Sequence, residues 1–151
     1  TPGSGNSGLL VHRLRQEVGL LHPDVPLVLI DGPPGIGCPL ISTITGIQIA
    51  ILVTEPSTSA QSDLQRLITL CRSFRVRMFL VINRSDVNQN ITEDILRVAA
   101  ENEILVLGLI PFDRTVLNAT WQGVPVTRMS GAASEAIHEI TQNLSKELDH
   151  I

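Results

Sequence analysis

The sequence has a single lysine, only two cysteines, few charged residues and no long hydrophobic run. Charged residues make up 17% of the 151 positions and the formal net charge is -4, so the basic surface that nucleic acids or anionic membranes require is missing. The cysteines, Cys38 and Cys71, form no CxxC motif and favour a reducing compartment over a disulfide scaffold. The longest apolar stretch, residues 47–53, is interrupted by Gln48 and is too short to cross a bilayer. We therefore expect a cytoplasmic protein that binds neither nucleic acid nor membrane.

The pattern of apolar residues predicts one domain that follows a short linker. Residues 1–8 are rich in glycine, serine and proline and read as a linker or a truncated edge, so the domain is expected at residues 9–151. Four continuous apolar runs predict strands buried on both faces, at residues 26–30, 47–53, 78–82 and 104–110. Amphipathic spacing predicts helices at residues 9–20, 59–74, 92–102 (with Thr92 as N-cap) and 130–148. This alternation predicts a three-layer α/β/α fold with a mostly parallel sheet of about four strands.

Polar residues follow each predicted strand. In an open parallel sheet, ligands bind outside the carboxyl ends of the strands, so these residues are the candidates for a site. Asp31 follows the first run, and an acid there suits Mg²⁺ held through water, although a lone Asp is more often a turn or helix cap. The Gly-Pro-Pro-Gly stretch that follows Asp31 is stiff, yet Gly35 leaves room for its backbone N–H to approach a phosphate.

The third and fourth strand ends carry a different chemistry. Asn83 offers one acceptor and two donors in a plane, which suits the edge of a purine, although an Asn there is more often a turn residue. Pro111 and Asp113 follow the fourth run. Cys38 has no second ligand at metal-binding spacing, and Trp121 is expected to pack inside a helical segment.

These loops together resemble a known family. Five strings occur in the following order along the chain: LIDGPPGIGCPLISTITG, ILVTEPSTSAQSDLQRLITL, LVINRSDVN, VLGLIPFDRTV and GVPV. They resemble the MinD/ParA/Mrp class of deviant-Walker P-loop ATPases, most closely MinD-like ATPases with an inserted ferredoxin domain. The resemblance implies a P-loop NTPase fold and a site for ATP and Mg²⁺. It also implies roles for five residues: Asp31 supports Mg²⁺, Gly35 senses the γ-phosphate, Asn83 reads adenine, and Pro111 and Asp113 border the base and ribose.

One part of the family pattern is missing from this sequence. Phosphoryl transfer in this class needs a glycine-rich loop ending in Gly-Lys-Ser/Thr, and the only lysine is Lys146, near the C-terminus. The chain is therefore expected to be the C-terminal part of such an ATPase, without hydrolysis of its own. An iron–sulfur cluster is expected only in a full-length parent. The expected partners are a second copy, the N-terminal half or ferredoxin domain of the same protein, or another protein.

Two other readings remain open from the sequence. The chain could be a non-catalytic interaction module that keeps the P-loop fold. A receiver-type phosphoacceptor, with Asp31 as its target, would need a lysine at a later strand end, where Asn83 is followed by Arg84 instead.

Overall fold

The computed structural model describes residues 13–14, 16–18, 20–21, 24–33, 35 and 37–149. They fall into two compact units. The N-terminal unit comprises the described part of residues 1–50 together with residues 66–77, and the C-terminal unit comprises residues 51–65 and the described part of 78–151. The predicted linker at residues 1–8 lies outside the described residues.

Helices and strands alternate along the chain. The elements are α1 (Cys38–Ile44), β1 (Ile49–Thr54), α2 (Thr58–Ser73), β2 (Arg77–Asn83), α3 (Gln89–Glu101), β3 (Leu105–Ile110), α4 (Thr115–Gln122), a 3-10 turn (Val126–Arg128) and α5 (Ala132–Leu148). Residues 13–14, 16–18 and 20–21 are also helical, which agrees with the predicted first helix where it is described. Among the described helices, none is both long enough and apolar enough to cross a membrane.

The strands form one sheet in the order β1-β2-β3. Strands β2 and β3 run parallel from the pair Phe79/Leu105 to the pair Asn83/Ile110, with an irregularity between Leu80 and Val81. This arrangement confirms the predicted α/β class with a parallel sheet. Three of the four apolar runs are strands, and their bounds agree with the predictions within two residues.

The predicted strand at residues 26–30 was wrong. Residues 27–33 join no sheet with any other part of the chain that the structure describes, and Leu29 is 85% exposed. The described sheet therefore has three strands rather than about four. An apolar run indicates a preference for burial, but a strand also needs a neighbour whose free N–H and C=O groups pair with its own.

The core of the C-terminal unit is centred on β2. Phe79, Leu80, Val81 and Ile82 are consecutive and all at most 4% exposed, so both faces of this strand are covered. A continuous apolar run is what such a strand requires, since successive side chains point to opposite faces of the sheet.

The α3 helix begins three residues earlier than its predicted start. Asn88 is the N-cap, and its Oδ1 accepts a hydrogen bond from the Ile91 amide at 3.2 Å. Thr92, the predicted cap, is buried inside the helix, and its hydroxyl donates to the Ser85 carbonyl at 2.7 Å. Both residues can cap a helix, and the turn that follows β2 decides that Asn88 does so.

The α5 helix lies close against β3. A Cβ built on Gly108 would lie 2.6 Å from Cγ1 of Ile140, so only glycine permits this approach. The Asn143 side chain donates to the Leu107 carbonyl at 2.9 Å. Leu107 falls at the irregular step of the β2/β3 pairing, where Val106 pairs with Leu80 and Gly108 with Val81. The asparagine therefore donates to a carbonyl at the irregular step of the strand and joins α5 to β3 there.

Three helices end in the same hydrogen-bonded turn. Arg75, Glu103 and Gly123 each adopt a left-handed conformation just after a helix, with φ of 58°, 55° and 63°. In each turn the next residue donates back across the end of the helix, as Ile104 does to the Ala99 carbonyl at 2.9 Å. This Schellman geometry usually selects glycine, so two of the three turns carry backbone strain.

Candidate functional site

A tight turn directly follows β2. Arg84 has φ of 53°, in the left-handed region that side chains other than glycine rarely adopt, and its carbonyl accepts from the Val87 amide at 3.1 Å. The Ser85 amide donates to the Ile110 carbonyl at 3.0 Å, which joins this turn to the end of β3. Strained non-glycine residues of this kind are frequent at ligand sites, so the turn is a candidate part of a site.

The Arg84 side chain connects the ends of all three strands. Its Nη1 lies 3.6 Å from Oε2 of Glu55, the residue that follows β1, and its guanidinium carbon lies 5.5 Å from the centre of the Phe112 ring, which follows β3. Both members of the ion pair are about half exposed, so the pair itself adds little stability. The contacts of Arg84 matter for their geometry, since they bring one cation, one acid and one aromatic ring together at the carboxyl edge of the sheet.

The loop that follows β3 is held by two carboxylates. Asp86 accepts from the Phe112 amide at 2.6 Å. Asp113 accepts from the Thr115 amide through Oδ1 at 2.8 Å and from the Ala133 amide through Oδ2 at 3.0 Å. One carboxylate thus fixes the start of α4 and the start of α5 together, where the positive ends of both helix dipoles favour its charge.

These amides also change the acidity of the aspartate. Hydrogen bonds from Ala133 and then Thr115 hold the pKa of the Asp113 carboxyl below its usual 3.8. Gly131 makes the contact possible, because a Cβ at that position would lie 2.5 Å from Oδ2 of Asp113.

Asn83 ends β2 with its side chain half-buried, opposite Ile110 in the register. Within the described chain, the Asn83 amide group makes no hydrogen bond. A planar group with two donors and one acceptor therefore lies beside the Arg84 turn with its hydrogen-bonding capacity unused.

Asp31 and Gly35 belong to the N-terminal unit. Asp31 is exposed, and Gly35 has φ of 82°; no described residue beyond its chain neighbours has an atom within 4 Å of the position where its Cβ would stand. Across the described residues, no group of three or more His, Cys, Asp or Glu side chains could hold a metal ion. Cys71 is fully buried, and this burial raises the pKa of its thiol, so it is an inert core residue.

The sequence-based interpretation missed two features of this region. The sequence contains no signal that Arg84 and Phe112 touch, because their contact depends on how β2 and β3 are aligned. Trp121, predicted to pack, is 82% exposed on α4. Its spacing in the sequence fits a helix, but only the packing of α4 decides which side of the helix faces solvent.

Comparison with known proteins identifies what the chain resembles. A family model described as "ParA: NUBPL iron-transfer P-loop NTPase" matches residues 9–146. An uncharacterized protein of Methanocaldococcus jannaschii is 29% identical, over 95% of this chain and 48% of its own length. The septum site-determining protein MinD of Helicobacter pylori is 26% identical, over 89% and 54%. The cytosolic Fe-S cluster assembly factor Nubp1 homolog of Drosophila grimshawi is 28% identical, over 80% and 46%.

Solved structures show the same fold. The MinD cell division protein of Aquifex aeolicus matches with a TM-score of 0.74 and 20% identity, over 92% of this chain and 61% of its own. The septum site-determining protein MinD of Pyrococcus horikoshii, solved with Mg-ADP, matches with a TM-score of 0.70 and 18% identity, over 93% and 56%. The chain spans about half the length of the curated relatives that it matches.

Proposed function

The chain belongs to the MinD/ParA type of P-loop ATPases, and from this premise we propose that it binds ATP at the carboxyl ends of β1, β2 and β3. The observation that carries the proposal is the contact of Arg84 with Glu55 and Phe112, which joins residues that follow all three strands. Ligands of open parallel sheets bind at this edge. The family match supports this reading over that of a module without nucleotide chemistry.

The base side of the site is proposed to use the turn at Arg84 and the loop that follows β3. The unused amide group of Asn83 reads the adenine edge, and the guanidinium of Arg84 beside the Phe112 ring offers a flat surface for the base. Pro111 and Asp113 border the base and ribose. Because both oxygens of Asp113 already accept backbone amides, Asp113 acts here by positioning the loop.

The phosphate side is proposed from the Asp-Gly-Pro-Pro-Gly sequence. Asp31 supports Mg²⁺, and the Gly35 amide senses the γ-phosphate. Two observations support these roles: Mg²⁺ is commonly held by only one or two carboxylates and keeps several waters, and no described residue beyond its chain neighbours lies within 4 Å of a Cβ built on Gly35. When bound, the ion would supply positive charge beside the phosphates.

We expect this chain alone to hydrolyse no ATP. It contains no Gly-Lys-Ser/Thr sequence, and its one lysine, Lys146, lies in α5. Without those amides and that ammonium group, ATP affinity is expected to be about millimolar, or about -4 kcal/mol.

The wider role is proposed from the relatives. The matching family is described as iron-transfer, and one relative is named an Fe-S cluster assembly factor. We propose that a longer, cytoplasmic protein uses this domain to couple nucleotide state to iron–sulfur chemistry or to a partner protein. We propose that a cluster would be held by residues elsewhere, such as a ferredoxin domain; the thiol of Cys71 is buried.

The proposal is tested by adding Mg-ATP to the chain and recording both thermal stability and backbone amide NMR shifts. We expect no change of melting temperature at micromolar ATP, and at millimolar ATP we expect shifts confined to residues near Arg84 and Phe112 and to residues 31–35. The turn at Glu103, at the other end of β3, is the internal control. Shifts that spread evenly over the chain would remove the assignment of the site. A rise of several degrees at micromolar ATP would show that the phosphate side needs no further residues.

The adenine role of Asn83 needs a protein that binds nucleotide tightly. In a longer protein with a Gly-Lys-Ser/Thr loop ahead of this sequence, Asn83→Ala is expected to remove the preference for ATP over GTP. The matched control is Asn90→Ala, which changes an exposed asparagine on α3. Unchanged selectivity in Asn83→Ala would rule out base reading by this residue.

A further inference from the structure

Asp86 joins the turn after β2 to the loop after β3. Its Oδ1 accepts a hydrogen bond from the Phe112 amide at 2.6 Å, although the two residues lie 26 positions apart. Pro111 has no N–H, so the Phe112 amide is the first donor that the backbone offers after β3. Hydrogen bonds to a charged acceptor are about twice as strong as those between neutral groups. The carboxylate therefore fixes the course of the chain where it leaves β3.

The backbone beside Asp86 is itself held in place. Ser85 donates to the Ile110 carbonyl through its amide at 3.0 Å and through its hydroxyl at 3.4 Å. The Ser85 carbonyl accepts from the Thr92 hydroxyl at 2.7 Å. These contacts tie Ser85 to the end of β3 and to α3. The carboxylate of the next residue thus starts from a fixed position beside the Phe112 amide.

The ring of Phe112 keeps a free surface on this fixed backbone. The chain after it is anchored by Asp113, which accepts from the amides of Thr115 and Ala133. The ring is 47% exposed, although the guanidinium carbon of Arg84 lies 5.5 Å from its centre. An aromatic ring with a fixed backbone and an exposed surface suits the stacking of a nucleotide base.

The inference rests on the ATP site proposed above. We propose that Asp86 is a positioning residue for the base: it holds the Phe112 ring in place for stacking and does not contact the base itself. A loop that is ordered before the ligand arrives loses less entropy on binding, so the Asp86 contact raises nucleotide affinity. Stacking tolerates either purine, because every base has a flat π surface. Asp86 therefore governs affinity, and the choice between purines is left to Asn83.

The first test titrates Mg-ATP and Mg-GTP into the chain and follows backbone amide NMR shifts. Asp86→Ala is expected to raise both dissociation constants about fivefold, because a ring that is no longer held stacks less well. Loss of a negative charge alone would instead favour an anionic ligand, so the sign of the effect separates the two causes. Asp86→Asn keeps an oxygen that can accept from the Phe112 amide and should restore most of the affinity. The matched control is Glu93→Ala, which removes the same charge from an exposed position on α3 and should change neither constant.

The second test asks whether Asp86 acts through the ring. In a Phe112→Ala background no ring remains to be positioned, so adding Asp86→Ala is expected to change ATP affinity less than about twofold. A general loosening of the fold by Asp86→Ala would weaken binding in both backgrounds. The same fivefold loss with and without the Phe112 ring would thus contradict the proposed role.

The third test needs no nucleotide. Hydrogen exchange of the Phe112 amide reports directly on its contact with Asp86, and Asp86→Ala is expected to speed it about tenfold or more. Asp86→Asn should speed it less. Equal exchange in the parent chain and in Asp86→Ala would show that the carboxylate does not hold the loop, and would overturn the proposal.

The titration separates failure of this inference from failure of the proposed function. If the parent chain shows no ATP-induced shifts near Arg84 and Phe112, the proposed site is wrong and Asp86 has no base to position. If the parent binds ATP and Asp86→Ala binds it equally well, only the positioning role is wrong. A changed ratio of ATP to GTP affinity in Asp86→Ala would also overturn that role. It would assign Asp86 to the base itself, since guanine carries an amino donor that adenine lacks at the same position.

Discussion

Replacing Gly108 with alanine tests how closely α5 packs on the sheet. The new Cβ would lie 2.6 Å from Cγ1 and 3.3 Å from Cδ1 of Ile140, whereas carbon atoms in good contact are about 3.5 to 4.0 Å apart. Isoleucine in a helix has essentially one χ1 rotamer, so Ile140 cannot rotate away and the helix must shift.

The magnitude follows from two opposing effects. Overpacking a core costs about 1 to 3 kcal/mol. Replacing glycine with alanine in a strand raises the free energy of unfolding by about 0.5 to 1 kcal/mol, because alanine loses less backbone entropy on folding. We therefore expect Gly108→Ala to lower the free energy of unfolding by about 1 to 2 kcal/mol, which is about 2 to 8 °C in melting temperature for a chain of this size.

Urea unfolding measures the change, with Gly32→Ala as the matched control. Among the described residues beyond its chain neighbours, none has an atom within 4 Å of the Cβ position of Gly32, so that substitution is expected to be close to neutral. In an Ile140→Ala background the obstructing Cγ1 is gone, and Gly108→Ala should then be neutral or stabilising, a coupling of about 1 to 2 kcal/mol. Equal effects of Gly108→Ala with and without Ile140 would refute the close approach of α5 to β3.

Three further predictions concern the ends and edges of the elements. Asn143→Ala leaves the Leu107 carbonyl without its donor and is expected to cost about 1 to 3 kcal/mol in urea unfolding, and a neutral result would show that water replaces the side chain. Glu103→Gly removes the strain of a left-handed non-glycine residue, about 1 to 2 kcal/mol, but ordering the more flexible glycine costs about 0.5 to 1 kcal/mol of backbone entropy. It should therefore raise the melting temperature slightly, while Glu103→Ala should not. The lowered pKa of Asp113 stabilises the fold above the unfolded-state value of 3.8, and this contribution is lost as pH falls through the folded value. Thermal unfolding of Asp113→Asn should therefore show a weaker loss of stability below about pH 4 than the parent chain, and identical acid profiles would contradict the role of its two amide contacts.

The strand-end residues show how the predicted site compares with the structure. Asn83, Pro111 and Asp113 were selected by the rule that ligands of parallel sheets bind at the carboxyl ends of the strands; Asn83 is the last residue of β2, and Pro111 and Asp113 follow β3. The same rule could not show that Asp113 is fully engaged by the amides of Thr115 and Ala133. One of these donors is twenty residues away along the chain, so local sequence contains no signal for it.

The sequence by itself determined the class of fold, the three strands at β1 to β3 and the family, because apolar runs and loop motifs are local properties. Only the tertiary structure decided which apolar segments are covered. Leu27, Val28, Leu29 and Trp121 are as apolar as the core, yet they are exposed in the part of the chain that the structure describes. Burial and strand pairing depend on which neighbours contact a segment, as Ile140 contacts Gly108. In the same way, Arg84 contacts Glu55 and Phe112 only once the three strands are aligned.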